Sequence, residues 1–199
     1  MPLVSKKPTA FFMPIFLSPL TLHYLCKKIV SMDYRDEIDK CYGIAGMAIG
    51  GAVWGGEDLI CKLDLDDEDG GYVTFAPAFY FSHPTVSAKA TWQYKLKNYR
   101  LMVAMLISNM LCRSMHGRSF SYSQIVKKLY SNVEAEGRSE CQLESDEIRL
   151  LFDRAYRKLD DVFDSRQVHG IADEFVSKLK EKRSLSNSEI RELLGIIEN

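Results

Sequence analysis

Between residues 87 and 115 no glycine or proline interrupts the sequence. Within that run Trp92, Leu96, Tyr99, Val103, Leu106 and Met110 recur at spacings of 4, 3, 4, 3 and 4, the seam of a helix that packs against other helices. From Leu101 to Ile107 the residues are apolar on every side, which places this part of the helix inside a bundle. Ser108 and Asn109 interrupt the apolar run, and Arg100 and Arg113 flank it, so it reads as a core helix and not a membrane span. The rest of the chain must supply elements to cover this spine.

Residues 33–53 supply one. Asp33 suits an N-cap, Glu37 falls in the first turn, and Ile38, Cys41, Tyr42, Ala45 and Ile49 make an apolar face. Gly43, Gly46, Gly50 and Gly51 each cost up to about 1 kcal/mol relative to alanine inside a helix. Close backbone approach to a neighbouring helix is the usual compensation. Gly46/Gly50 and Ala48/Ala52 are small-x-x-x-small pairs, a device best known from membranes. The apolar stretch 41–54 is too short to span one, so the reading is tight packing in a soluble core, ended at Gly55-Gly56.

A β-hairpin follows. Leu59, Cys61, Leu63 and Leu65 alternate with Ile60, Lys62 and Asp64, and residues 72–81 alternate again with Val73, Phe75, Phe79 and Phe81 on one side. The connection carries Asp66, Asp67, Glu68 and Asp69 before Gly70-Gly71, an Asp-Gly turn signal. Pro77 points to an edge position. Two strands alone are marginal, so they must lie on a helix or pair with a second copy. Helices then follow in succession. One opens at a Ser121/Gln124 capping box, carries Ile125, Val126, Leu129 and Val133, and stops at Gly137. Others cover residues 145–163 and 166–182, and the last begins at Ser186 with Glu189 completing a capping box and Leu185 stapling onto Ile190. The expected fold is α+β, mostly α: five or six helices around a long central helix, with one β-hairpin.

In residues 1–31, Lys6-Lys7 precede an apolar run over 10–25 and Lys27-Lys28 follow it, the outline of a signal peptide or short anchor. Pro14, Ser18, Pro19, Thr21 and His23 within the run, its shortness and the lack of a small-x-small cleavage pattern argue against both. Met32-Asp33 looks like a natural start. The expectation is a tail ahead of a single domain at 32–199, read first as a misassigned start and second as a short apolar leader, with an ordered part of the fold as a third reading. Cytoplasmic location goes with the first, export or membrane anchoring with the second.

Phe75, Pro77, Phe79-Tyr80-Phe81, Ser87-Ala88-Lys89, Trp92, Leu96-Lys97 and Cys112-Arg113-Ser114 resemble an uncharacterised family of small bacterial proteins. The resemblance covers about a fifth of the chain and implies no activity.

No familiar chemistry survives a search of the sequence. Five cysteines without a C-x-x-C disfavour a zinc ribbon, a redox pair and a disulfide framework. Glu-x-x-His and H-E-x-x-H are absent. In the acidic loop, Asp69 stands where a calcium loop needs glycine, and Phe75 where it needs a bidentate glutamate. His169/Asp173 and Cys112/His116 each lie one helical turn apart, and read better as surface polar groups and a structural thiol than as a metal site and a nucleophile. The glycines at 43–56 match no phosphate loop. No catalytic, cofactor-binding or metal-binding residue is assigned, and the sequence argues against an enzyme.

Charge layout is more informative. Net charge is −1, but residues 33–73 carry −8 and residues 74–133 carry +8 with no acid at all. Lys89, Gln93, Lys97 and Arg100 form one stripe on the central helix, with Lys95, Arg113, Arg118, Lys127 and Lys128 adding to the field. Asp64, Asp66, Asp67, Glu68 and Asp69 form the opposing acidic patch. Segregated charge favours oriented docking. The expected function is a non-enzymatic protein–protein interaction or scaffolding module that self-associates, the acidic patch of one copy on the basic stripe of another. A nucleic-acid-associated accessory protein using the stripe is the alternative, an enzyme with an unrecognised site a further one.

Overall fold

The computed structural model describes residues 34–67, 71–80, 87–116 and 122–195. In chain order the elements are α1 (Glu37–Val53), a 3-10 turn (Glu57–Leu59), β1 (Ile60–Asp64), β2 (Val73–Phe75), α2 (Pro77–Tyr80), α3 (Ala88–Met115), α4 (Tyr122–Cys141), α5 (Ser145–Phe163), α6 (Arg166–Lys182), β3 (Ser184–Ser186) and α7 (Asn187–Leu194). The fold is α+β and mostly α, built around the long α3.

Two helices form the centre. Every residue of α1 from Cys41 to Gly51 is buried, as is every residue of α3 from Leu101 to Cys112. They pack on each other, with α6 on the other side of α1 and α4 and α5 against α3. The glycines make the α1–α3 contact possible. A Cβ at Gly46 would lie 2.6 Å from Cys112 Cβ and closer still to the Ser108 carbonyl oxygen, and one at Gly50 would meet Ser108 Cβ at 2.5 Å. Their cost in helix propensity is therefore offset by burial that no larger residue would permit. The N-cap of α1 is Asp36, whose side chain accepts from Asp39 N, and not Asp33, which lies outside the described residues along with the whole of 1–31.

The α1–α3 contact also encloses an ion pair. Asp39 is 1% exposed and receives Arg113 Nε at 3.0 Å and Nη2 at 2.6 Å, together with Arg35 N at 3.0 Å. Arg113 therefore turns inward and adds nothing to the surface field expected of it. Burial opposes ionisation of Asp39, but hydrogen bonds from Arg113 and Arg35 outweigh it and hold the pKa below its ordinary value.

The hairpin gains a third strand. β1 is central, antiparallel to β2 (Leu63 opposite Val73) and to β3 (Leu63 opposite Leu185), and α7 lies against it. Strand β3 and α7 supply the cover that two strands alone lack. The second strand is shorter than its alternation implies: it ends at Phe75, and Pro77 opens α2 instead of occupying a sheet edge. Helix α4 runs through Gly137 to Cys141. Gly137 is there for space, since a Cβ would lie 2.9 Å from Tyr99 Cζ. The chain reverses instead at Gln142, at φ 54°. The last helix starts as expected, with Glu189 Oε2 accepting from Ser186 N at 2.9 Å. Ser121 lies outside the described residues.

Candidate functional site

The first three turns of α3 project past the buried centre, with only Asn98 and Tyr99 buried before Leu101. One side of this projection faces a groove completed by the end of α1 and one side of α5. Trp54 arrives there through the helix ending that the sequence marks. Gly55 adopts φ 68°, Gly55 N donates to Ala52 O and Gly56 N to Gly51 O, both at 2.8 Å, and this Schellman pattern turns the chain immediately after Trp54. Trp92 comes from the second turn of α3, its Nε1 donating to Cys141 O at 2.9 Å. Leu150, Arg154 and Lys158 come from α5 at intervals of four.

The groove consists of two adjoining hollows of about 480 and 400 Å³ that share Trp54, Trp92, Leu96 and Arg100. Leu143, Leu151 and Ala155 add apolar lining. The chain has two tryptophans, and both are here. Among the described residues the exposed large hydrophobic side chains are Trp92, at 42%, and Leu150, at 50%, and both line this groove. Four cations surround them, Lys97, Arg100, Arg154 and Lys158, against one acid, Glu147. Lys158 is held in place: its Nζ donates to Val53 O at 3.1 Å, at the negative end of α1, and lies 4.5 Å from the Trp54 ring centroid. The arrangement is an apolar cleft with a positive rim, the usual form of a docking surface.

Of the expected stripe, Gln93, Lys97 and Arg100 line the groove, while Lys89 is exposed a turn away and does not. Among the described residues Lys89, Lys97 and Arg100 make no ion pair, so Asp64, Asp66 and Asp67 do not neutralise them. The acidic patch is partly occupied locally. Asp64 receives Lys62 Nζ at 2.6 Å, Asp66 is bound by the Arg183 guanidinium, and Asp67 accepts from Gly71 N at 3.0 Å. Glu68 and Asp69 lie outside the described residues. Arg183, a left-handed residue at φ 65° capping α6, also reaches Glu37 at 2.9 Å. Trp92, which its seam spacing predicts to be core, instead lines the groove beside Trp54, Leu150, Arg154 and Lys158, which the charge and motif patterns do not single out. The i, i+4, i+8 spacing of the last three, off the apolar side of their helix, was the signal available for them.

The remaining candidates separate. His169 Nε2 donates to Phe163 O at 2.7 Å, whereas Asp173 accepts from Tyr42 Oη at 2.6 Å, so the two do not converge on a common point. His116 stacks on Tyr42 with 4.7 Å between centroids, and burial drives the Cys112 thiol pKa far above its ordinary value. Among the described residues no three His, Cys, Asp or Glu side chains converge as metal ligands, and no helix is long and apolar enough to cross a membrane. No family model, curated protein or solved structure matches this chain.

Proposed function

We propose that this chain is a non-enzymatic interaction module that docks an acidic, apolar-anchored segment of a partner protein in the two-tryptophan groove. One observation carries the reading: the exposed Trp92 and Leu150 share a single cleft with Trp54 and four basic side chains. Large aromatic anchors in a partly desolvated cleft dominate binding energy, and the cationic rim selects the sign of the partner and speeds its approach. A protein segment fits better than a nucleic acid, because the Lys158 ammonium lies against the Trp54 ring, where a base would stack. A second copy fits less well than a separate partner, because Asp64 and Asp66 are already paired with Lys62 and Arg183.

The test is a competition on one protein. A short synthetic peptide alternating Glu with Leu and Phe, its Lys-substituted counterpart and an oligothymidylate are titrated by calorimetry against the wild type and the Arg100→Glu/Lys158→Glu variant. Saturable binding of the Glu peptide alone, weakened about thirtyfold or more by the charge reversal, is the expected result. Binding of the oligothymidylate in preference to the peptide transfers the groove to nucleic acid. Dimerisation lost in the same variant assigns it to a second copy. Either result, or no binding at all, overturns the proposal.

A further inference from the structure

The opposite side of the α3 projection faces a different cavity. Tyr94, Asn98, Tyr99 and Met102 recur on it at helical spacing, and the cavity is closed by α2 and by the last turns of α4. Its volume is about 90 Å³, room for several water-sized groups. Four aromatic residues line it, Phe79, Tyr80, Tyr94 and Tyr99, and two acids, Glu136 and Glu140.

Its polar groups are not satisfied from within. Glu136 is 8% exposed, and among the described residues its carboxyl has neither a hydrogen bond nor an ion pair, although its oxygens, unlike Tyr94 Oη, keep a narrow contact with solvent. Tyr94 Oη is buried without a hydrogen-bond partner among the described residues. Asn98, by contrast, spends its amide on Phe79 O at 2.6 Å, and Tyr99 Oη donates to Val133 O at 2.9 Å. Lys95 is the one base on the rim; it is exposed and pairs with neither glutamate. Buried polar groups are normally satisfied, and exceptions call for an explanation. A bound cation supplies one: aromatic walls attract an ammonium through their ring quadrupoles, and a buried carboxylate neutralises it.

We propose that this cavity is a binding site for a small methylated ammonium ion, held by Glu136 and the surrounding aromatic rings. The two-tryptophan groove plays no part in it, so the site stands or falls independently of the docking reading. Protonation follows from the surroundings. Burial, and then the Glu140 charge one turn away on the same helix, push the Glu136 pKa up to about 8. The groups facing it are Glu140 and the Cys141 thiol on α4, Lys95, Tyr94 and Tyr99 on α3 and Tyr80 on α2; burial and the two glutamates push Cys141 up to about 11. In the empty cavity near pH 7 Glu136 is therefore mostly protonated, and a bound ammonium ion expels that proton. Affinity rises with pH until about 8 and levels above it.

The probe is tetramethylammonium, with tert-butanol as a neutral body of similar shape and potassium chloride as the ionic-strength control. Calorimetry on the full chain is run in two buffers of different ionisation enthalpy. The expected result is saturable tetramethylammonium binding with close to one proton released near pH 7, and binding at least about tenfold weaker for tert-butanol and for Glu136→Gln. Proton release is read on the wild type, so a Glu136→Gln variant that fails to fold leaves the test intact. Absence of saturable binding, equal binding of tert-butanol, or binding without proton release overturns the proposal.

Discussion

Replacing Gly46 with alanine tests the packing that organises the molecule. In an unobstructed helix the change stabilises by up to about 1 kcal/mol, because alanine is the better helix former. At Gly46 the new methyl would lie 2.6 Å from Cys112 Cβ and 2.9 Å from the Ser108 carbonyl carbon, nearer than side-chain carbons approach. Overpacking of this kind costs about 1–3 kcal/mol. The main obstacle is the backbone of α3, which cannot rotate aside as a side-chain end can, so the upper half of that range applies. Subtracting the propensity gain leaves a net loss of about 1–2 kcal/mol. Gly170 on α6 is the internal control: it is exposed, and a Cβ there meets nothing within 4 Å. Gly170→Ala should therefore stabilise by about 0.5–1 kcal/mol. Urea unfolding followed by circular dichroism reads both, as shifts of midpoint at constant slope. Opposite signs at the two positions are expected. A Gly46→Ala protein as stable as the wild type or more so would refute the close α1–α3 approach.

Two further expectations concern the buried ion pair. Arg113→Met leaves Asp39 nine-tenths or more buried with only Arg35 beside it and should cost about 3 kcal/mol, read by the same unfolding assay, whereas Asp39→Asn together with Arg113→Met should recover part of that loss. Because the folded pKa of Asp39 lies below its unfolded value, its contribution is complete above the unfolded value, near pH 4, and is lost as pH falls through the folded one. Midpoints measured from neutral pH down into this range should fall less steeply for the double variant than for the wild type.

What was legible in the sequence was local. The limits of α5 and α6, the Ser87 start of α3 and the Ser186 capping box follow from apolar periodicity and from caps made by near neighbours, interactions that the sequence spells out within a few residues. The misreadings involve distant partners. Gly137 looks like a stop until Tyr99 is placed beside it, 38 positions earlier in the chain. Leu185 precedes its helix as a staple residue does, but its pairing with Leu63 in the sheet is invisible until the strands are placed. Pro77 reads as an edge residue because Phe75, Phe79 and Phe81 alternate around it, yet Phe75 and Phe79 instead stack across the start of a helical turn, 4.2 Å between centroids. The groove was half visible. Its basic stripe lies on one helix and can be counted off, but the cleft exists only because α1 ends, α3 projects and α5 passes at one place. No spacing rule joins Trp54 to Trp92 or to Lys158.

The groove's two indoles allow a direct reading of docking there. A ¹⁵N-correlated NMR spectrum of this chain contains two tryptophan indole signals, both from residues that line the groove. Titration with the Glu–Leu–Phe peptide should shift both along a single saturation curve, while the Arg100→Glu/Lys158→Glu variant needs about thirtyfold more peptide to reach the same shifts. Peptide binding that moves backbone signals elsewhere and leaves both indoles unmoved would contradict the assignment of the groove.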